Sequence, residues 1–385
     1  MRAASARAHV VTRSAVILVV AVHAVGCGAP GHGRDAARTS FAGLIEHLSE
    51  AGAYFDTDNV ISNETSYLHA IDVLEEAGIR GGAYLGVGPD QNFSYIAAVR
   101  PEIAFIVDIR RDNMLQHLLF KALFAASDDR LEYLCLLVGR PAPHGRESWR
   151  DSSVAALARY VDTVEVRRGA SQAARDTVAD LVRSFGVPLS DEDRATITRV
   201  HETFIEAGLD LRFQSHGRPP RPHYPTLRQL VLETDRRGRQ VSYLASEERW
   251  HVVDDLQDRD RVIPVVGDFA GDHALRAIAD LLRARGIPVS AFYTSNVEFY
   301  LMGDGTFGQF AANVAGLPVA DRSGLIRSFF GRNFGYVHPE AVPGYYSVQL
   351  VQDLHDFVAT VEGGGYRSYV DLVMQQASVP ARPPR

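Results

Sequence analysis

Short apolar runs alternate with longer amphipathic stretches along most of the chain, and the alternation predicts its elements. Phe41 to Ala51 has a helical pattern. Ser62 or Asn63 can cap a further helix running to about Ala77, where Gly78 stops it. From Gly82 to Ile109 the pattern is strand, glycine turn, helix, strand, and the second strand ends in Asp108. Asp112–Ala126 predicts a helix, and the unbroken apolar run Tyr133–Val138 predicts a buried strand. Residues 140–225 break the alternation: a polar loop leads to helical stretches at Gln172–Phe185 and Glu192–Ala207, then to the proline-rich HGRPPRPHYP. Helices at Thr226–Glu233 and Ser246–Asp258 resume the pattern, followed by a strand at Val262–Val266 and a helix at His273–Arg285 closed by Gly286. Strands at Val289–Tyr293, Leu325–Phe330 and Tyr345–Leu350 and a helix at Gln352–Val361 complete it. Such alternation predicts an α/β fold with a mainly parallel sheet covered on both faces.

In such sheets ligands bind beyond the carboxyl ends of the strands, so the polar residues there are the candidate site. Gly86 and Gly88 sit at the tip of the first strand, and Asp108 lies 20 residues beyond Gly88. This spacing fits the first βαβ unit of a nucleotide-binding Rossmann-type fold: glycines admit a ligand, a helix N-terminus offers N–H groups, and the acid binds a ribose. Asp90 and Asn92 on the same turn are further cofactor-binding candidates. A second constellation follows the later strands. Asp268 can act as a base or cap the next helix, and Tyr293 is paired with it as a catalytic candidate. Ser295, Asn296 and Glu298 are substrate-binding candidates, with helix capping the competing role for Asn296.

The turn GVGPDQN lacks the third glycine of a dinucleotide fingerprint, which counts against a nicotinamide oxidoreductase. It resembles the first motif of class I S-adenosylmethionine-dependent methyltransferases, which have a looser G-x-G and an acid after the second strand. That resemblance implies a three-layer Rossmann-like core. It also implies S-adenosylmethionine as cofactor, with Gly86 and Gly88 at its methionine part and Asp108 at its ribose. Asn63, Glu64 and Tyr67, before the first strand, become candidate walls of the cofactor site. The sequence departs from the pattern at Tyr84, where an acid is common. The segments GAYLGVGPDQNFSYIAAVRPEIAFIVDIRRDN, YPTLRQLVLETD, YLASEERW, VIPVVGDFAG and FYTSNVEFYL are similar to an uncharacterised bacterial family with a methyltransferase-like Rossmann core.

Composition narrows the chemistry. Lys121, inside a predicted helix, is the only lysine among 385 residues, which removes P-loop, kinase and pyridoxal chemistries. The net charge of −7 argues against a nucleic-acid partner. Gly303–Gly308 matches G-x-G-x-x-G but follows no clear strand, and it is expected to be a turn or a lid near the crevice. The loop with Asp56, Asp58, Asn59 and Glu64 lacks the glycine of a calcium loop. No HExxH or G-x-S-x-G occurs, and no metal is expected. The other candidate ligand type, Cys135, is expected to be a small core residue.

The N-terminus carries Arg2, Arg7 and Arg13, then an apolar stretch at Ala15–Val25, then Cys27. This is the order of an export signal, and it resembles a bacterial lipoprotein box with Cys27 as the lipidated residue. The expected partners are therefore a small-molecule ligand and, through the lipid anchor, the membrane of a bacterial cell envelope. Simple secretion, or a cytoplasmic protein with a mis-assigned start, are the alternatives. The expected organisation is signal and lipobox at 1–27, tether at 28–39, first half of the core at 40–139, helical insertion at 140–225, second half at 226–375 and tail at 376–385.

Overall fold

The computed structural model describes residues 40–57, 59–215, 221 and 223–374. The expected signal with Cys27, the expected tether and the tail at 376–385 lie outside the described residues. In chain order, α1 (Phe41–Leu48) and α2 (His69–Ala77) precede β1 (Ala83–Gly86), α3 (Gln91–Val99), β2 (Ile103–Asp108) and α4 (Arg111–Ala125). Helices α5 (Arg130–Leu137), α6 (Val154–Thr163), α7 (Arg168–Ser184), α8 (Asp191–Ala207), α9 (Leu227–Val231) and α10 (Glu247–Asp258) follow before β3 (Val262–Val266). Then come α11 (Ala274–Arg285), β4 (Val289–Ser295), α12 (Val297–Gly303), α13 (Phe307–Ala315), β5 (Val319–Phe329), β6 (Val348–Gln352), α14 (Leu354–Glu362) and α15 (Tyr369–Met374).

The six strands form one mixed sheet in the order β3-β2-β1-β4-β5-β6, parallel throughout except for β6, which runs antiparallel to β5. Side chains alternate between faces along a strand, so neighbours on β4 report on both layers. Phe292 packs against Phe269 and Phe310, while Tyr293 meets Tyr95 of α3 on the other side. Helices α2, α3 and α4 thus cover one face, with α10 outside α3 and α4; α11, α13 and α14 cover the other, with α1 beside α11 at the β3 edge. Strands β1, β2 and β3 are buried along their whole length, which is why they read as continuous apolar runs.

Several boundaries follow from local chemistry. Gly78 and Gly286 end α2 and α11 in the left-handed conformation, and the Ser246 hydroxyl accepts the Arg249 N–H at the start of α10. The run Tyr133–Val138 is helical rather than a strand. Asp129 accepts the Glu132 N–H at 2.8 Å and starts α5, which packs among α4, α6, α7 and α8 and is therefore apolar on most sides. Periodicity cannot separate a buried strand from a buried helix in so short a run. Helix α2 starts later than expected. Ser62 accepts the Glu64 N–H, and the chain turns before entering the helix at His69. Cys135 is fully buried on α5, where burial pushes its thiol up to about 12.

Residues 140–225 contain α6, α7 and α8, and the last two pack along α4. Lys121, on α4, pairs with Asp260 at 2.8 Å and lies 4.7 Å from the centre of the Phe41 ring, a structural role in the scaffold. Among the described residues no helix is long and apolar enough to cross a membrane.

Candidate functional site

The chain runs from β1 through β2 to β3 on one side of the sheet, then returns to place β4 on the other side of β1. At this reversal the connections after adjacent strands leave in opposite directions and open a crevice. A cleft of about 310 Å³ occupies it, lined by the tips of β1, β2, β3 and β4, by the α12–α13 turn and by the segment before α2.

The β1 tip is held from within. Asn92 donates from Nδ2 to the carbonyls of Val87 (2.9 Å) and Pro89 (2.7 Å), and its Oδ1 accepts the Tyr84 hydroxyl at 2.7 Å. That pair passes beside Gly86, where a Cβ would stand 2.0 Å from Asn92 Oδ1 and 2.7 Å from the Tyr84 hydroxyl oxygen. Gly86 is thus required by the scaffold, and Asn92, fully buried, is a tie for the turn rather than a cofactor ligand. Gly88 has φ +83° and faces the cleft, as expected of a residue that lets backbone approach a ligand. Its carbonyl accepts His117 Nε2–H at 2.9 Å. Burial lowers the His117 pKa to about 4, so near neutrality the ring is uncharged and its other nitrogen carries no proton.

Asp90 points away from the cleft. It borders a separate void of about 10 Å³ with Tyr67, and it accepts the Tyr243 hydroxyl at 3.2 Å. Burial pushes its carboxyl up to about 6. Tyr67 donates to the Leu230 carbonyl at 3.0 Å and is likewise outside the cleft lining, whereas Asn63 and Glu64 line it.

Asp108 lines the cleft at the end of β2, but Arg110 forks its carboxylate. The Arg110 backbone N–H and Nε–H donate to Oδ1 at 2.9 and 3.0 Å, and Nη2–H donates to Oδ2 at 2.7 Å. A carboxylate has about four acceptor positions, so roughly one remains, on Oδ2. Arg110 was outside the sequence candidates, although its spacing two residues after Asp108 is a strand-like alternation that puts both on one side.

Asp268, after β3, is exposed at the cleft. Its Oδ1 accepts the Ala270 N–H at 2.8 Å, and its own N–H donates to Glu50 Oε1 at 2.8 Å. It does not cap α11, which begins six residues later after His273. Ser295 and Asn296 line the cleft after β4, and Asn296 precedes α12 without a side-chain capping bond. Ser295 has φ +55°, a strained value for serine, and donates to Glu64 Oε1 at 2.5 Å. Glu64 Oε2 accepts Gln349 Nε2–H at 3.0 Å from β6.

Two candidates lie behind the cleft. The Tyr293 side chain is fully buried, with its hydroxyl accepting Gln91 Nε2–H at 3.3 Å, and burial holds its pKa well above the usual phenol value. It positions Gln91 rather than reaching a ligand. Glu298 is fully buried in an ion pair with Arg327, whose Nη2 approaches to 3.0 Å, so it cannot touch a substrate. Within the Gly303–Gly308 stretch, residues 304–306 form a tight turn between the end of α12 and the start of α13, with Asp304 and Thr306 on the cleft wall. Tyr54, 79% exposed, and Phe55, edge-on to Tyr300 at 5.0 Å, form a rim that the sequence did not single out. Among the described residues no group of three or more His, Cys, Asp or Glu is placed to hold a metal ion.

No curated protein matches the chain. Residues 59–141 and 153–381 match the family described as a domain of unknown function, DUF7790, and the chain belongs to that family.

Proposed function

We propose that the cleft binds a nucleoside-type small molecule, with S-adenosylmethionine as the cofactor of a Rossmann-like, methyltransferase-like protein acting on a small molecule or an envelope component. The convergence of four parallel strand tips on one cleft at the sheet's reversal carries this reading. The residues fit the group. Gly88 leaves backbone open to the ligand, and Asp108 Oδ2 keeps an acceptor position for a ribose hydroxyl. The volume is at the lower end of small-molecule sites. When bound, S-adenosylmethionine supplies an electrophilic methyl group. The chain's own contribution is to hold the acceptor in line and exclude water, with Asp268 at the mouth as the acid free to take a proton.

A second reading has specific support: the cleft serves as a non-catalytic binding module of an exported lipoprotein. Asp108 is engaged by Arg110, Glu64 is engaged by Ser295 and Gln349, and among the described residues no histidine lines the cleft. Lipidation of Cys27 belongs to this reading, and loss of labelled palmitate in Cys27→Ala checks it.

Titration calorimetry of the purified chain with S-adenosylmethionine, S-adenosylhomocysteine and NAD tests the cofactor. Heat with the first two and none with NAD is expected. Silence with all three, together with an unshifted melting temperature, sinks the cofactor assignment. Binding without transfer of labelled methyl to any envelope extract favours the module.

A further inference from the structure

We propose that the floor of the cleft is a recognition subsite for a protonated amine carried by the ligand, with Glu64 as its counter-ion and Gln91 as a second acceptor. The inference rests on the reading of this cleft as the ligand site, and it adds the charge of the group that the ligand must carry.

Glu64 is 1% exposed, yet it lines the cleft. Its two oxygens each accept one neutral donor, Ser295 Oγ–H and Gln349 Nε2–H, and among the described residues neither meets a cation. A buried carboxylate with neutral partners alone is expensive in solvation. The serine that orients it stands at a strained positive φ, a second cost at the same point. Two elements far apart in the chain, the β4 tip and β6, therefore hold a charge that the scaffold leaves uncompensated.

Gln91 is a second, independent sign of a missing partner. It is 7% exposed and lines the cleft; its Nε2 donates to Tyr293, and its Oε1 has no hydrogen-bond partner. Gln91, tied back to Tyr293 on the strand that ends in Ser295, thus joins Ser295 and Glu64 in one polar cluster on the cleft wall. The unfilled capacity of the cluster is for accepting hydrogen bonds, which calls for a donor.

The wider cleft has the same sign. Among the described residues Glu64, Asp108, Asp268 and Asp304 line it against Arg110 alone, a formal charge of −3, and Arg110 is already committed to Asp108. Polyphosphates are disfavoured there. A metal ion needs several oxygen ligands, and no such group exists among the described residues. An ammonium, with its three N–H donors, matches one carboxylate and one amide oxygen.

Calorimetry on the full chain with 5′-amino-5′-deoxyadenosine, adenosine and putrescine tests the proposal. The amino-nucleoside is expected to bind at least about tenfold more tightly than adenosine, the scale of one charge-assisted hydrogen bond. In Glu64→Gln the ratio of the two affinities should fall toward one. Gln91→Met should lower the ratio as well, and it tests the subsite without altering Glu64 should the first variant fold poorly. Heat from putrescine that is lost in Glu64→Gln, with none from adenosine, keeps the subsite and removes the nucleoside from the function proposed above. Equal binding of adenosine and its amino derivative overturns the subsite and leaves that function standing. Silence from both amines, or amine binding unaffected by both substitutions, also overturns it.

Discussion

Replacing Gly86 by alanine separates two uses of a glycine at a strand tip: approach to a ligand, and space for the scaffold. The added Cβ would stand 2.0 Å from Asn92 Oδ1 and 2.8 Å from Tyr84 Cε1. Both groups are fully buried, so neither has room to retreat. The substitution must break the 2.7 Å bond from the Tyr84 hydroxyl to Asn92. Overpacking costs about 1–3 kcal/mol, and leaving one buried polar group unsatisfied costs about 1–3 kcal/mol more. A loss of roughly 2–6 kcal/mol in the ligand-free protein is therefore expected. Gly88→Ala is the control. Its φ of +83° strains any side chain, but the nearest atom to a new Cβ is the flexible end of Gln91 at 3.3 Å, so about 1–2 kcal/mol is expected. Urea unfolding followed by tryptophan fluorescence, with no ligand present, gives both numbers. If Gly86→Ala lies within about 0.5 kcal/mol of the wild type, below any overpacking cost, the scaffold account of Gly86 is wrong and its role is toward the ligand alone.

Removing Arg327 alone, as Arg327→Met, strands the fully buried Glu298 and should cost about 3–5 kcal/mol, while adding Glu298→Leu should recover most of it; equal losses in Arg327→Met and the double variant, measured by denaturant midpoint, would show that Glu298 is not stranded by the loss of Arg327. Asp90 tests linkage to pH. Its folded pKa is raised from 3.8 to about 6, so the folded state holds a proton that the unfolded chain releases, and stability declines as pH rises through that interval. Asp90→Asn lacks the decline and should gain about 2 kcal/mol on the wild type between pH 4 and pH 7. Parallel stability curves across that range would refute the assignment.

The fold was legible where local chemistry is strong. Gly78, Gly286 and Ser246 marked helix ends because their conformations or side chains satisfy backbone groups without help from elsewhere. The α5 helix was not legible as a helix from its apolar run, although Asp129 with Glu132 three residues on is an N-terminal signature. The antiparallel direction of β6 leaves no trace in so short a strand. In the site, strand-tip positions were legible because parallel strands all end at one edge. Side-chain direction was not. Asp90 and Gln91 are adjacent, yet a helical step of about 100° sends only Gln91 to the cleft. Glu298 reads as a free acid until Arg327, placed inside a strand 29 residues on, claims it.

Glu64 and Gln349 lie 285 residues apart, and Ser66 meets Ser347 across nearly the same interval. The Glu64 carboxylate in the cleft wall is therefore anchored by the last strand of the sheet to be synthesised. At ordinary elongation rates Glu64 waits roughly 15–60 s for its partner. Throughout that time its carboxylate remains hydrated, and a nascent chain has no complete crevice to offer a ligand. A complete cleft wall is thus tied to synthesis of β6: any product ending between Asp108 and Gln349 retains the glycine turn and Asp108 but lacks the amide that holds Glu64.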